Sequence, residues 1–107
     1  MAWISFDSAF RNCSNLDVNA TDTPILSNVN STSSMFRNAY SLKGNGYFKD
    51  WDLSHVTNTS YMFYNAKAFN QPLNNWDVSK VTSMASMFNQ ATVFNQVLNN
   101  WDVGKVR

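Results

Sequence analysis

Leu73–Val81 reads LNNWDVSKV, and twenty-five residues on Leu98–Val106 reads LNNWDVGKV. A worn third copy, WDLSHV, occupies Trp51–Val56. Working outward from this stretch, Phe10, Phe36, Phe63 and Phe88 follow one another at spacings of 26, 27 and 25. Three residues after each comes a small side chain (Cys13, Ala39, Ala66, Ala91), and three further on a large apolar one (Leu16, Leu42, Phe69, Phe94). Phe48, Leu73 and Leu98 make another column, followed by Trp51, Trp76 and Trp101, then Leu53, Val78 and Val103. Val29, Val56, Val81 and Val106 make the last. A unit this short cannot bury its own apolar face, whereas stacked units turn each column into a continuous ladder of like side chains.

The period falls in the leucine-rich-repeat range of about 20–29 residues. Within one unit, Val81, Met84, Met87, Phe88 and Ala91 are spaced 3, 3, 1 and 3, which predicts a two-turn helix capped by Thr82 or Ser83. In FNQPLNNWDV (69–78) Pro72 stops a helix and the apolar residues fall at irregular intervals. A short strand is expected there, pairing in parallel with its copies. The expected fold is a repeat solenoid, a leucine-rich-repeat-like coil of short parallel strands and short helices in about four coils. Residues 1–107 are read as one solenoid domain with coils at approximately 3–28, 29–55, 56–80 and 81–105. The chain starts and stops at nearly the same point of the cycle, so the lower face of the last coil should be apolar and open.

Bulk composition narrows the function. Of 107 residues 44% are hydrophobic but only 14% are charged, and the polar remainder is largely Asn, Ser and Thr, which suit turns better than helix interiors. The net charge of +1 supplies no field to attract nucleic acid or an anionic surface. No segment has the length of a membrane span, so no membrane insertion is expected. The start, MAWISFDSAF, has no basic region and no apolar run, and so is not read as a signal peptide. A single cysteine, Cys13, excludes an internal disulfide and a cysteine-based zinc cluster.

The stretch MFYNAKAFNQPLNNWDVSKVTSMASMF (62–88) resembles the BspA-like leucine-rich-repeat surface proteins. It is most similar to the branch whose 25-residue repeats read M-F-x-x-A-x-x-F-N-Q-x-L-x-x-W-D-V-S-x-V-T-x-M. SAFRNCSNL (8–16) resembles the A-F-x-x-C-x-x-L pattern of the wider group. The resemblance covers Ser8–Val106 and implies a right-handed coil. It also implies an extracellular or cell-surface place, with roles in adhesion and host-matrix binding. The family defines no catalytic residues, so none is carried over.

Four sets of residues invite a chemical reading. Trp51, Trp76 and Trp101 could stack sugars, but their spacing with the other inward columns favours a core ladder. Asp52, Asp77 and Asp102, about 5 Å apart if stacked at strand spacing, could hold calcium or imitate a glycosidase pair. The favoured reading is that each caps an Asx turn at a repeated corner. His55 is expected at an exposed corner and Cys13 as a small buried residue, which disfavours a Cys–His nucleophile pair. Asn70, Gln71, Asn74, Asn75, Asn95, Gln96, Asn99 and Asn100 flank inward residues. They form either a self-satisfied carboxamide ladder or a neutral contact surface for protein or glycan. No catalytic residue, metal or cofactor is expected. The first functional expectation is a non-enzymatic binding or adhesion module. The second is a self-assembly unit, a homodimer through the open last coil at Leu98, Trp101 and Val103. A hydrolase using the Asp column is the remote third.

Overall fold

The structure, a computed structural model, describes residues 7–8, 10–13, 29–43, 48–49, 51–96 and 98–106. Most of the first coil, including Leu16, lies outside the described residues.

Each unit is built from overlapping four-residue turns. In the third unit the N–H groups of Met62, Tyr64, Ala66, Phe69, Trp76 and Val81 each donate to the carbonyl three residues back. The alternate N–H groups, of Thr59, Tyr61, Phe63 and Asn65, point along the stack instead. They donate to the carbonyls of Ser83, Ala85, Met87 and Asn89 in the fourth unit at 2.8–3.0 Å. The same alternation joins Thr32, Ser34, Phe36 and Asn38 to Asn58, Ser60, Met62 and Tyr64. Every buried backbone group needs a partner, and this pattern supplies one half within a unit and the other half between units. It requires left-handed backbone at fixed places: Ser34, Tyr61 and Ser86, and four residues on Asn38, Asn65 and Gln90, have φ between 52° and 63°.

The expected leucine-rich-repeat-like coil of short parallel strands and short helices is therefore corrected. Among the described residues there is no helix, and the only ladder pairs are the isolated parallel bridges Ser31–Asn58 and Asn58–Ser83. The helix expected after Val81 fails because Ser86 and Gln90 take positive φ, and a right-handed helix needs negative φ throughout. Spacings of 3, 3, 1 and 3 fit successive three-residue turns as well as they fit a helix. The strand expected over 69–78 fails because Trp76 N–H turns back to Leu73 at 3.0 Å. There, side chains join the units. The Trp76 indole Nε1–H donates to the Phe48 carbonyl at 2.7 Å, and that of Trp101 to the Leu73 carbonyl at 2.8 Å.

The inward columns are buried as their periodicity requires. Phe36, Phe63 and Phe88 stack with centroids 5.7 and 5.6 Å apart, and Trp51, Trp76 and Trp101 at 6.4 Å each. Phe63, fully enclosed, also stacks on Phe69 at 4.2 Å and meets the edge of Phe48 at 6.0 Å. The buried hydroxyls of Thr32 and Thr59 donate to Met62 and Met87 Sδ of the next unit, each at 3.3 Å. Burial ends at the fourth unit. Val103 is 50% exposed where Val78 is 1% exposed, and Met84, Phe88, Phe94, Leu98 and Trp101 are half-buried.

Candidate functional site

The flank of the stack carries the carboxamides. The turn from Leu73 to Trp76 exposes Asn75, and its copy exposes Asn99 and Asn100. Asn70 Oδ1 accepts from the Asn95 N–H at 2.9 Å and from Gln96 Nε2 at 2.8 Å. Asn74 Oδ1 accepts from the Asn100 N–H at 2.9 Å. The acceptor half of each carboxamide thus fastens one unit to the next. The Nδ2 groups of Asn70 and Asn74 have no acceptor among the described residues. Gln71 is half-buried on the same flank. Of the eight carboxamides named from the sequence, hydrogen bonds join Asn70 to Asn95 and Gln96, and Asn74 to Asn100.

A second carboxamide column escaped the sequence reading. Asn38 Nδ2 donates to Asn12 Oδ1 at 2.7 Å, and Asn65 Nδ2 to Asn38 Oδ1 at 3.1 Å. Asn12, Asn38 and Asn65 all have positive φ, and Asn is the residue that tolerates it best after Gly. An Asn two residues past Phe10, Phe36 and Phe63, with Gln90 in the fourth copy, was the available signal. Beside it the Arg37 guanidinium lies 4.9 Å from the ring centres of both Tyr61 and Tyr64, a cation–π contact across units.

The aspartates serve turns. Asp52, Asp77 and Asp102 are exposed, and their Oδ1 atoms accept the N–H of Ser54, Ser79 and Gly104 at 2.9, 3.0 and 3.0 Å. The Ser79 hydroxyl adds a bond to Asp77 at 2.7 Å. That hydroxyl first, and then the Ser79 N–H, hold the Asp77 carboxyl below its ordinary 3.8. Asp52 is lowered in the same way by the Ser54 hydroxyl and N–H. A depressed folded pKa contributes stability above the unfolded value and loses it as pH falls through the folded one. Stability should therefore decline from pH 3.8 downward. Asp77→Asn, which keeps an acceptor but does not titrate, should make that decline shallower while changing little at pH 7. Chemical denaturation across the acid range checks this, and an unchanged acid slope would contradict it.

Two of the tryptophans, Trp76 and Trp101, clasp the preceding unit through their indole N–H groups. Trp51 and Trp76 are buried, and the Trp76 indole is committed to the Phe48 carbonyl, so neither offers a face to a sugar. His55 is exposed at its corner, with Nδ1 3.2 Å from Ser54 Oγ. Cys13, expected to be buried, is exposed.

The open end of the fourth unit is the other surface of note. Met84, Met87, Phe88, Leu98, Trp101 and Val103 line a shallow concavity of about 350 Å³. The three residues named for self-association therefore share one face. Met84 occupies the column held by Thr32 and Thr59, so the open end is more apolar than the layers behind it.

No helix among the described residues is long and apolar enough to cross a membrane. No curated protein and no solved structure matches the chain. The family model described as "Mycoplasma protein of unknown function, DUF285" matches residues 4–107, almost the whole chain, and the chain belongs to that family.

Proposed function

We propose that the chain is a non-enzymatic binding module that presents its carboxamide flank to a protein or glycan partner. The observation that carries this reading is the division of labour within Asn70 and Asn74. Their oxygens are tied into the stack, and their Nδ2 groups have no acceptor among the described residues. A fixed row of neutral donors suits a ligand rich in acceptors, such as peptide carbonyls or sugar hydroxyls. Holding the donors in place before binding reduces the ordering cost that weakens contacts made by free side chains. Trp51 and Trp76 are buried and Trp101 lies at the open end, so along the carboxamide flank hydrogen bonding rather than ring stacking supplies the affinity for a sugar. The resemblance of 62–88 to BspA-like repeats supports an adhesive role at a cell surface or outside the cell.

The test is an array of glycans and matrix proteins probed with the chain and with the double variant Asn70→Asp, Asn74→Asp. Aspartate keeps the oxygen that fastens the units and removes the donor. Stability is expected to change by less than about 1 kcal/mol, and retention of the bound partner to fall at least about tenfold, equivalent to about 1.4 kcal/mol. Silence across the array, or full retention by the double variant, would sink this reading.

A further inference from the structure

The net charge of +1 conceals an uneven placement. Arg11, Arg37, Tyr64 and Asn89 hold the same place in successive units, each closing a turn to the carbonyl three residues back. Two arginines therefore follow one another along the stack, and the Asn12 N–H bond to the Arg37 carbonyl at 2.8 Å sets their backbones side by side. Neither has an acid partner among the described residues. Asp7, the nearest described acid in sequence, accepts from the Ser31 hydroxyl and the Ser33 N–H. Asp52, Asp77 and Asp102 serve the corner turns. Three residues past Arg37, Tyr40 is 43% exposed, and its hydroxyl accepts from Asn65 Nδ2 at 3.4 Å. Lys67 stands exposed at the Tyr40 position of the next unit. The turn-built side thus gathers cations and open aromatic surface around the Asn38–Asn65 column.

Arg37 is the fixed member of this group. Its guanidinium lies 4.9 Å from the ring centres of Tyr61 and Tyr64, which stand 5.5 Å apart at 56° to each other and form a wedge. Aromatic rings take the flat face of a guanidinium and leave its N–H edge for an anion, where a carboxylate can form two parallel bonds. That edge has no acceptor among the described residues, and Nε is enclosed without one. Asn65, directly after Tyr64, has its Oδ1 enclosed without a donor. Enclosed polar atoms without partners are uncommon in folded chains. A lone carboxylate answers the first of these groups and not the second. A sugar acid carries a carboxylate and hydroxyls on one ring, and so supplies an acceptor and a donor together.

We propose that the turn-built side binds an acidic glycan, a chain of sugars bearing carboxylates. Arg37 takes a carboxylate on its open edge, Arg11 extends the positive charge along the stack, and the exposed ring of Tyr40 packs against a sugar face. The bound anion offsets the repulsion between the two arginines, which is strongest at low salt. The tyrosine wedge fixes Arg37 before binding and so lowers the ordering cost. This site is separate from the carboxamide flank at Asn70 and Asn74, and either stands without the other.

The test is titration calorimetry of the chain with hexagalacturonate, with its methyl ester and with hexaglutamate. Hexagalacturonate is expected to bind, more weakly as salt rises. The uncharged ester and the peptide should bind at least about tenfold less tightly. Arg37→Lys keeps the charge but loses the paired N–H edge, and it should weaken binding about tenfold. Arg11→Gln and Tyr40→Ala, at exposed positions, should each weaken it about threefold. Those two variants keep the test decisive should circular dichroism show that Arg37→Lys does not fold. The double variant Asn70→Asp, Asn74→Asp should bind hexagalacturonate as the unaltered chain does. No binding, or equal binding of the ester, overturns the proposal. Tighter binding of hexaglutamate assigns the face to an acidic peptide and overturns it too. So does uronate binding that survives undiminished in Arg37→Lys, Arg11→Gln and Tyr40→Ala alike. Loss of uronate binding in the double variant places the sugar on the carboxamide flank and overturns it as well.

Discussion

Phe63→Ala is expected to remove about 3–5 kcal/mol of stability, a large share of the reserve of roughly 5–15 kcal/mol that domains carry. Phe63 is fully buried and sits where five ring contacts converge: Phe36 above at 5.7 Å, Phe88 below at 5.6 Å, Phe69 beside at 4.2 Å, the edge of Phe48 at 6.0 Å and the tilted Trp76 at 6.2 Å. Alanine there leaves a cavity between rigid turns. The flanking units are each locked to the unit that carries Phe63, by the Phe36 N–H bond to Met62 and the Phe63 N–H bond to Met87, which limits their collapse into it. Phe88→Ala supplies the comparison. Phe88 stands in the same column but is half-buried, and it should cost less. Urea midpoints for the two variants decide the matter. Equal losses would mean that the column does not weaken toward the open end.

The second large effect belongs to Trp76→Phe, expected to cost about 1–3 kcal/mol. Its Nε1–H reaches the Phe48 carbonyl at 2.7 Å, and the same carbonyl already accepts the Trp51 N–H at 3.1 Å to close a turn. The indole therefore fills the second lone pair of a turn carbonyl in the preceding unit. Phenylalanine preserves much of the packing and removes that clasp. Trp101 makes the equivalent bond to Leu73 at 2.8 Å but is half-buried. Trp101→Phe should accordingly cost less in a denaturant titration, because water can replace the lost donor there.

The comparison of Trp76 with Met84–Ala91 shows what periodicity conveys and what it does not. Spacing identified which residues face inward: Val56, Phe63, Ala66, Phe69, Leu73, Trp76 and Val78 are all buried. It did not identify the backbone that carries them. Val81, Met84, Met87, Phe88 and Ala91 fit a helical stripe, yet Ser86 and Gln90 adopt positive φ and the N–H groups of Met87, Asn89 and Ala91 turn back to the carbonyls three residues before. The corrective signal was compositional. Thr82, Ser83, Ser86 and Asn89 leave few strong helix formers among the outward positions. Asn, Ser and Thr offer the backbone other partners, and Asn in particular accepts left-handed φ. The corner at Asp77 was readable because an Asx turn is local, needing only the N–H two residues on. The fastening of Asn70 to Gln96 was not, since it depends on the distance between units, which a single sequence does not state.

The turn-built side of each unit holds the backbone bonds between units, while the flank from Asn70 to Asn75 is joined to its copy by side chains. Tolerance to change in length should divide along the same line. A residue gained within Thr59–Asn65 would shift every second N–H out of line with its carbonyl. A residue gained between the Phe69 and Leu73 positions displaces no backbone bond from one unit to the next. The chain has already made that experiment: Leu42 and Phe48 stand six apart where Phe69 and Leu73 stand four apart, and Phe36, Phe63 and Phe88 remain stacked. The same interval is the place to insert a tag or an epitope while keeping the layers in step.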